Sequence, residues 1–448
     1  MSGYLKIIQF TELDSWSVKY LIESSFSYNE KYSLVKIGSF LSRNKEIVNI
    51  LDDESYKRVT IKINNGGVLV RDIEQGINIK TKKQFLIRKG QFLVSKIDAR
   101  NGAFGLATNE VDKAIITADF FAYDIDLRKI KPLFIVLCTT TNQFKKFAQS
   151  ASHGTTNRQR INEKEFLNVK IPLPSLEEQN RLLEKYTTKI ALAEKQEKEA
   201  KEIEESLEIF FNNEIGLEVI EEESKQNTLL KIFNYENLDT WGVDKLYIQE
   251  GIRYTKNYPT KPINTICQVS SGGTPSRSRK EYYTGSIPWI KTGEVVNEII
   301  YDTKEKITKE AIENSSAKLY KKGSLIIAMY GQGLTRGRTA KLGIDASTNQ
   351  ACAVLSNIDN KLVLTDYLWF YLMNEYHRLR EMASGNSQPN LNAQMIKGYK
   401  VVIPPFDIQE KIIEEISSRK EKIKQLRAEA LQNREDAIKE FEKEIFTT

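Results

Sequence analysis

Two glycine-rich loops carry the side chains best suited to chemistry. The first is Lys96-Ile97-Asp98-Ala99-Arg100-Asn101-Gly102, and the second is Tyr330-Gly331-Gln332-Gly333-Leu334-Thr335-Arg336-Gly337-Arg338. Glycine lets backbone come close to an anion, and successive N–H groups in such a turn form a concave anion site. Guanidinium and ammonium groups beside that backbone suit phosphate oxygens, and Arg presents a planar fork of donors. The chemistry on offer is the binding of a polyanion.

Covalent chemistry finds no comparable constellation. His153 and His377 are the only histidines, and neither has a nucleophile partner in the sequence. Gly331, Gly333 and Gly337 fit a dinucleotide loop only loosely, because the acidic residue that should follow a βαβ unit is missing. No GxxxxGK[ST] phosphate loop occurs. Ile403-Pro404-Pro405-Phe406 resembles the Asn/Asp-Pro-Pro-Phe/Tyr motif of amino-methyltransferases, but its first residue is apolar and cannot hold an adenine amino group. Cys138, Cys267 and Cys352 are far apart and form no CxxC pair, so they read as buried free thiols rather than disulfides or zinc ligands. The reading is a non-catalytic chain with no cofactor of its own.

The elements that position the loops come in two copies. Leu173-Pro174-Ser175-Leu176-Glu177-Glu178-Gln179 returns as Ile403-Pro404-Pro405-Phe406-Asp407-Ile408-Gln409. In each copy a proline ends an extended segment, since the residue before it is pushed out of the α region. An acid just inside the helix start suits the N-terminal end of the dipole. The register holds through the helix: Leu182 and Leu183 match Ile412 and Ile413, Phe211 matches Phe441, and Ile215 matches Ile445. Leu183, Tyr186, Ile190, Ala193, Ala200, Leu207 and Phe211 mark an apolar stripe. A solvated helix of that length is marginal alone, so the two helices are expected to pair as an antiparallel coiled coil.

Upstream of each helix the pattern is α+β. Leu86-Ile87-Arg88-Lys89-Gly90-Gln91-Phe92-Leu93-Val94-Ser95 corresponds to Leu319-Tyr320-Lys321-Lys322-Gly323-Ser324-Leu325-Ile326-Ile327-Ala328, a basic-Gly turn feeding a buried strand. Helical stretches at about 130–150 and 364–383 follow, then the polar loops 152–160 and 384–390. Trp16 and Trp241 recur in a shared Leu-Asp-Ser/Thr-Trp opening and are expected to be buried. The domain reading is 1–172, a spacer helix and linker over 173–225, 226–402, and a second spacer helix over 403–448.

The net charge of +6 is unevenly divided. Residues 177–225 hold 7 basic and 15 acidic side chains and 407–448 hold 9 and 11; residues 1–176 hold 27 and 18, and 226–406 hold 23 and 16. The helices are acidic and both globular units basic, as a polyanion partner would require. No apolar run is long enough to span a membrane. The N-terminus lacks the basic and apolar regions of a signal peptide, and the expected location is the cytoplasm.

This combination resembles the DNA-specificity (S) subunit of Type I restriction–modification systems. The second half carries that family's opening, Ser271-Gly272-Gly273-Thr274-Pro275-Ser276, followed by Tyr282-Tyr283 and Gly285-Ser286-Ile287-Pro288-Trp289-Ile290. The first half lacks both patterns near 38–56. The resemblance implies two target-recognition domains, each reading half of an asymmetric DNA site. Its expected contacts are Arg58, Lys96, Arg100, Asn101, Arg158 and Arg160 in the first half. In the second they are Arg277, Arg279, Lys280, Gln332, Arg336 and Arg338. Lysines and arginines would hold phosphates, while Arg, Asn and Gln discriminate bases. It also implies two methyltransferase subunits, which carry S-adenosylmethionine, and a restriction subunit as partners. The helices would then act as a ruler, about 35 residues spanning about 50 Å. A scaffold binding RNA or protein without reading sequence is the alternative.

Overall fold

Pro172 and Pro174 stop a short strand, Lys170–Pro172, and release the chain into a helix over Leu176–Ile215; Lys400–Val402 and Phe406–Ile445 repeat the sequence of events. The computed structural model describes residues 28–63, 66–150, 152–153, 160–219, 252–331, 333–382 and 390–446. Trp16, Trp241 and most of the loops 152–160 and 384–390 lie outside them. The chain forms two compact units. One comprises the residues up to Glu197 together with those from Arg427 onward, and the other comprises Lys198–Leu426. Among the described residues no helix is long and apolar enough to cross a membrane.

Each long helix is 40 residues, and the two pair antiparallel. In the first unit Lys189 meets Glu440 at 2.8 Å, Lys185 meets Glu444 at 3.2 Å and Arg434 meets Glu197 at 2.8 Å. In the second, Lys411 meets Glu214 at 2.7 Å and Arg419 donates to Ser206 Oγ at 3.1 Å. Numbers rise on one helix as they fall on the other. Ile416, Ile423, Ala430 and Ala437 are buried at seven-residue spacing, as are Ala193 and Ala200. That is a heptad seam, with alanine allowing close approach. Leu182 is the fully buried member of the Leu182-Leu183 pair; Leu183 and Tyr186 are half-buried.

Read from sequence, each unit owns one arm. In the structure each unit also contains the far end of the other copy's helix. The first core includes Phe441, Ile445 and Phe446, with Phe441 edge-on to Phe134 at 5.6 Å. The second includes Phe211, Ile215 and Leu217, with Phe211 stacked on Tyr367 at 5.9 Å.

The sheets follow the repeat. In the first unit a four-stranded antiparallel sheet runs Leu41–Asn44, Phe120–Ile125, Phe92–Ser95, Phe104–Leu106. A five-stranded sheet runs Ile47–Asn49, Lys83–Leu86, Ile115–Ile116, Ser55–Ile61, Val68–Gln75. In the second unit the five-stranded order is Gln268–Ser271, Cys352–Ser356, Leu325–Ala328, Thr339–Leu342, Ile299–Ile300. A three-stranded sheet of Glu305–Ile307, Ile287–Ile290 and Ser347–Thr348 stands beside it.

The basic-Gly turns are equivalent at the level of single bonds. Gly90 N–H donates to Ala107 and Gly323 N–H to Leu342, both at 2.8 Å, and both glycines sit at positive φ (86° and 90°). A residue with a Cβ is strained there. The three cysteines are free and buried, and burial pushes the Cys267 and Cys352 thiols up to about 12.

Candidate nucleic-acid interface

In the first unit the buried strand Phe92–Ser95 delivers Lys96 to the loop. Lys96 N–H donates to the Asp119 carbonyl at 2.9 Å, and its own carbonyl accepts from Ile161 N–H at 2.9 Å. These two bonds bring Arg160 and Asp119 beside it, and Arg160 Nε lies 3.1 Å from Asp119 Oδ1. Lys96 Nζ stands 4.5 Å from the centre of the Phe121 ring, and the Arg43 guanidinium stands 4.5 Å from the same ring. Burial, then the Arg43 charge, lowers the Lys96 ammonium below its ordinary range. A cation held this way gains from an anionic ligand.

Arg100 and Asn101 occupy the 3-10 turn Ala99–Asn101, closed by Gly102 at φ 77°. The turn packs against Arg160–Ile161, and Gln149 Nε2 donates to the Arg100 carbonyl at 3.3 Å. The structure therefore brings Lys96, Arg100, Asn101 and Arg160 together; Arg158 lies outside the described residues. Arg43, which sequence reasoning missed, backs this cluster and pairs with Glu163 at 3.3 Å. Its position on a strand next to aromatic residues gave no local signal.

Arg58 is placed elsewhere. It stands across from Asp72 in the strand register, with Nε 2.6 Å from Asp72 Oδ1 and Nη2 3.1 Å from Glu74 Oε2. Only 26% of the side chain is exposed. Its charge is answered within the sheet.

In the second unit the loop after Leu325–Ala328 turns on Gly331, Gly333 and Gly337, all at positive φ. At Gly337 a Cβ would also come within 3.0 Å of Arg380 Cγ and 3.3 Å of the Tyr376 carbonyl. The loop is pinned to the helix Tyr376–Glu381. Tyr376 OH donates to the Leu334 carbonyl at 2.8 Å, and Arg380 Nη1 donates to the Arg336 carbonyl at 2.9 Å. Arg336 and Arg338 are half-buried, and burial, then Arg380, lowers the Arg336 guanidinium. Leu334 at the tip is 65% exposed. Gln332 lies outside the described residues. Tyr376 and Arg380, four apart on one helix face, are positioning residues that the sequence reading did not single out.

Arg277, Arg279 and Lys280 form a second cluster. Arg277 lies over Tyr283 and Trp289, 4.2 and 4.9 Å from their ring centres, with Nη1 2.7 Å from Glu305 Oε2. Arg279 donates to Tyr282 OH at 3.1 Å, and Lys280 is exposed.

The Ser271–Ser276 motif beneath them is a packing device. A Cβ on Gly272 would fall 2.1 Å from Thr348 Oγ1, and one on Gly273 would fall 2.3 Å from Ala317 N. Trp289, 1% exposed, donates through Nε1 to the Gly273 carbonyl at 3.1 Å. Thr274 Oγ1 bonds Gln350 Oε1, and the next residue, Ala351, accepts from Met329 N–H. The motif loop and the glycine loop thus adjoin the same strand end.

Comparison with known proteins fits this geometry. The Type I restriction modification DNA specificity domain matches residues 29–205 and again 255–433. The MjaIX specificity subunit of Methanocaldococcus jannaschii is 29% identical over 164 residues, which is 35% of this chain and 36% of that protein. The chain thus spans only about a third of that relative. The HindI specificity subunit of Haemophilus influenzae is 24% identical over 435 residues, covering 85% of this chain and 90% of that one. A solved chain from work on complex assembly and conformational transition of the type I R-M system superposes with a TM-score of 0.59 at 14% identity, over 94% of this chain and 97% of that chain. With both halves matched, the chain belongs to the Type I restriction–modification specificity family.

Proposed function

We propose that this protein reads a bipartite, asymmetric DNA target, one part through each unit, in the cytoplasm. The observation that carries the reading is a shared framework presenting unlike side chains. The strand-end carbonyl that anchors the returning chain belongs to Lys96 in one unit, accepting from Ile161, and to Met329 in the other, accepting from Leu391. The loops that follow differ in length and charge. A common frame with different loops suits two different half-sites.

Phosphate contacts come from Lys96, Arg100, Arg160, Arg338 and Lys280, and base discrimination from Asn101, Arg158, Gln332 and Arg336. Arg277 and Arg279 shape the neighbouring surface and contribute charge. Arg58 makes no DNA contact in this reading, because it is engaged by Asp72 and Glu74. The paired helices set the interval between half-sites.

Catalysis belongs to partners. Two methyltransferase subunits carrying S-adenosylmethionine dock on this chain and take a target adenine out of the stack in each half-site, and a restriction subunit joins them. Selection from random duplexes tests the reading: a gapped consensus in two unlike parts supports it, and binding without sequence preference overturns it.

A further inference from the structure

Leu334 stands at the tip of the glycine loop in the second unit with 65% of its surface exposed. A leucine on a mobile loop can fold back onto the protein. This one is held out by its backbone. Its carbonyl accepts from Tyr376 OH at 2.8 Å, the Thr335 carbonyl accepts from Arg338 N–H at 3.1 Å, and the Arg336 carbonyl accepts from Arg380 Nη1 at 2.9 Å. Gly337 N–H donates to the Ala328 carbonyl at 2.9 Å and closes the loop onto its strand. Three successive carbonyls are thus fixed, two of them by one helix.

The tip is also narrow. Gly333, on one side of Leu334, has open space where a Cβ would stand. Thr335, on the other side, is turned across the loop, so that a Cβ on Gly331 would fall 2.7 Å from the Thr335 Cβ. One branched apolar side chain projects with no bulk on either neighbour.

Its setting is cationic. Arg336 and Arg338 follow within four residues, and no acid occurs between Met329 and Ile344. An apolar point gains nothing from the phosphates that such cations attract. What suits it beside a phosphate backbone is the space between two base pairs, where proteins that kink DNA place Leu, Ile, Met or Phe.

From these features we infer that Leu334 enters the stack between two base pairs of the half-site read by the second unit, unstacks them and kinks the duplex there. The inference rests on the DNA reading proposed above. Because the cost of opening a step depends on its sequence and is least at pyrimidine–purine steps, Leu334 adds specificity without a hydrogen bond to a base. The loop of the first unit holds out no such point: within Lys96–Gly102, Ile97 is half-buried and Ala99 is buried.

The test uses the full chain, without partner subunits, on the duplex recovered by selection from random sequences. 2-Aminopurine replaces each adenine in turn to report unstacking, and dyes at the duplex ends report bending. Binding should raise the fluorescence severalfold at one step and bend the duplex by about 20–90°. Both changes should lie in the block that is lost when Gly331–Arg338 is replaced by a Gly/Ser loop. Leu334→Ala should abolish both, Leu334→Met should keep both, and neither should move the denaturation midpoint. Straight, stacked DNA under the parent protein, or equal unstacking and bending with Leu334→Ala, overturns the inference. So does a loss in Leu334→Ala that is confined to one thymine without unstacking, which marks a methyl contact instead. A gapped consensus obtained alongside any of these results leaves the bipartite reading standing, whereas selection that yields no gapped consensus overturns both.

Discussion

Gln179 and Gln409 hold their helices by the same three hydrogen bonds. Gln179 Oε1 accepts from Lys131 N–H at 2.8 Å, and its Nε2 donates to the carbonyls of Pro174 and Lys129 at 2.9 and 3.0 Å. Gln409 does the same with Leu364, Pro404 and Leu362, at 2.8, 2.8 and 3.4 Å. Both side chains are buried. Each ties the start of a long helix to the start of the shorter helix ahead of it, Pro132–Thr140 or Thr365–Asn374. Gln179→Leu or Gln409→Leu should therefore destabilise the affected unit by about 1–3 kcal/mol, read as a lower denaturation midpoint. A midpoint unchanged in both variants would show that the glutamines are not pins.

Glu178 makes the first helical turn sensitive to acid. Arg181, Lys31 and Tyr32 all donate to its carboxylate, at 2.6, 2.9 and 2.8 Å, and these bonds, that of Arg181 first, hold its carboxyl well below the usual range. A carboxyl depressed by folding stabilises the fold above its unfolded value and loses that contribution as pH falls toward its folded value. Glu178→Gln should be less stable than the parent at pH 7, and the gap should close as pH falls below about 4. A gap that stays constant with pH would assign the effect to packing instead.

Arg58 separates structural charge from recognition charge. Arg58→Ala removes the cation that Asp72 and Glu74 share, leaving Asp72 only its pairing with Arg71, so the denaturation midpoint should fall. The salt slope of DNA binding should stay where it was, since no phosphate contact is lost. A slope smaller by about one, with stability unchanged, would return Arg58 to the interface.

Much of this architecture is legible in the chain because the proline-helix motif repeats. Aligning Gln179 with Gln409 also aligns Leu182 with Ile412 and Phe211 with Phe441, and all six are buried. Periodicity identifies apolar residues but not the core they enter, so Phe441 against Phe134 could not be read. Arg58 looks like any surface cation until strand register sets it opposite Asp72. Gly272 and Gly273 mark a family motif in sequence, but only the contacts with Thr348 and Ala317 show that it packs backbone on backbone.

The helix pair as spacer makes a separate prediction. Seven residues inserted after Glu197 and seven after Leu426 keep the heptad faces in phase and lengthen each helix by about 10 Å, roughly three base pairs. The selected half-sites should keep their sequences while the gap lengthens. Affinity should fall, because three base pairs also rotate one half-site relative to the other. Altered half-sites at the original gap would show that the helices do not set the interval.

Selection from random duplexes, run in parallel on the unaltered protein and on a variant with Gly331–Arg338 replaced by a Gly/Ser loop of equal length, tests the division of labour most directly. The unaltered protein should yield two unlike blocks of fixed bases around an unspecified gap. The variant should lose one block and keep the other unchanged. A single contiguous block for the unaltered protein, or a variant in which both blocks change together, would contradict two units reading DNA independently.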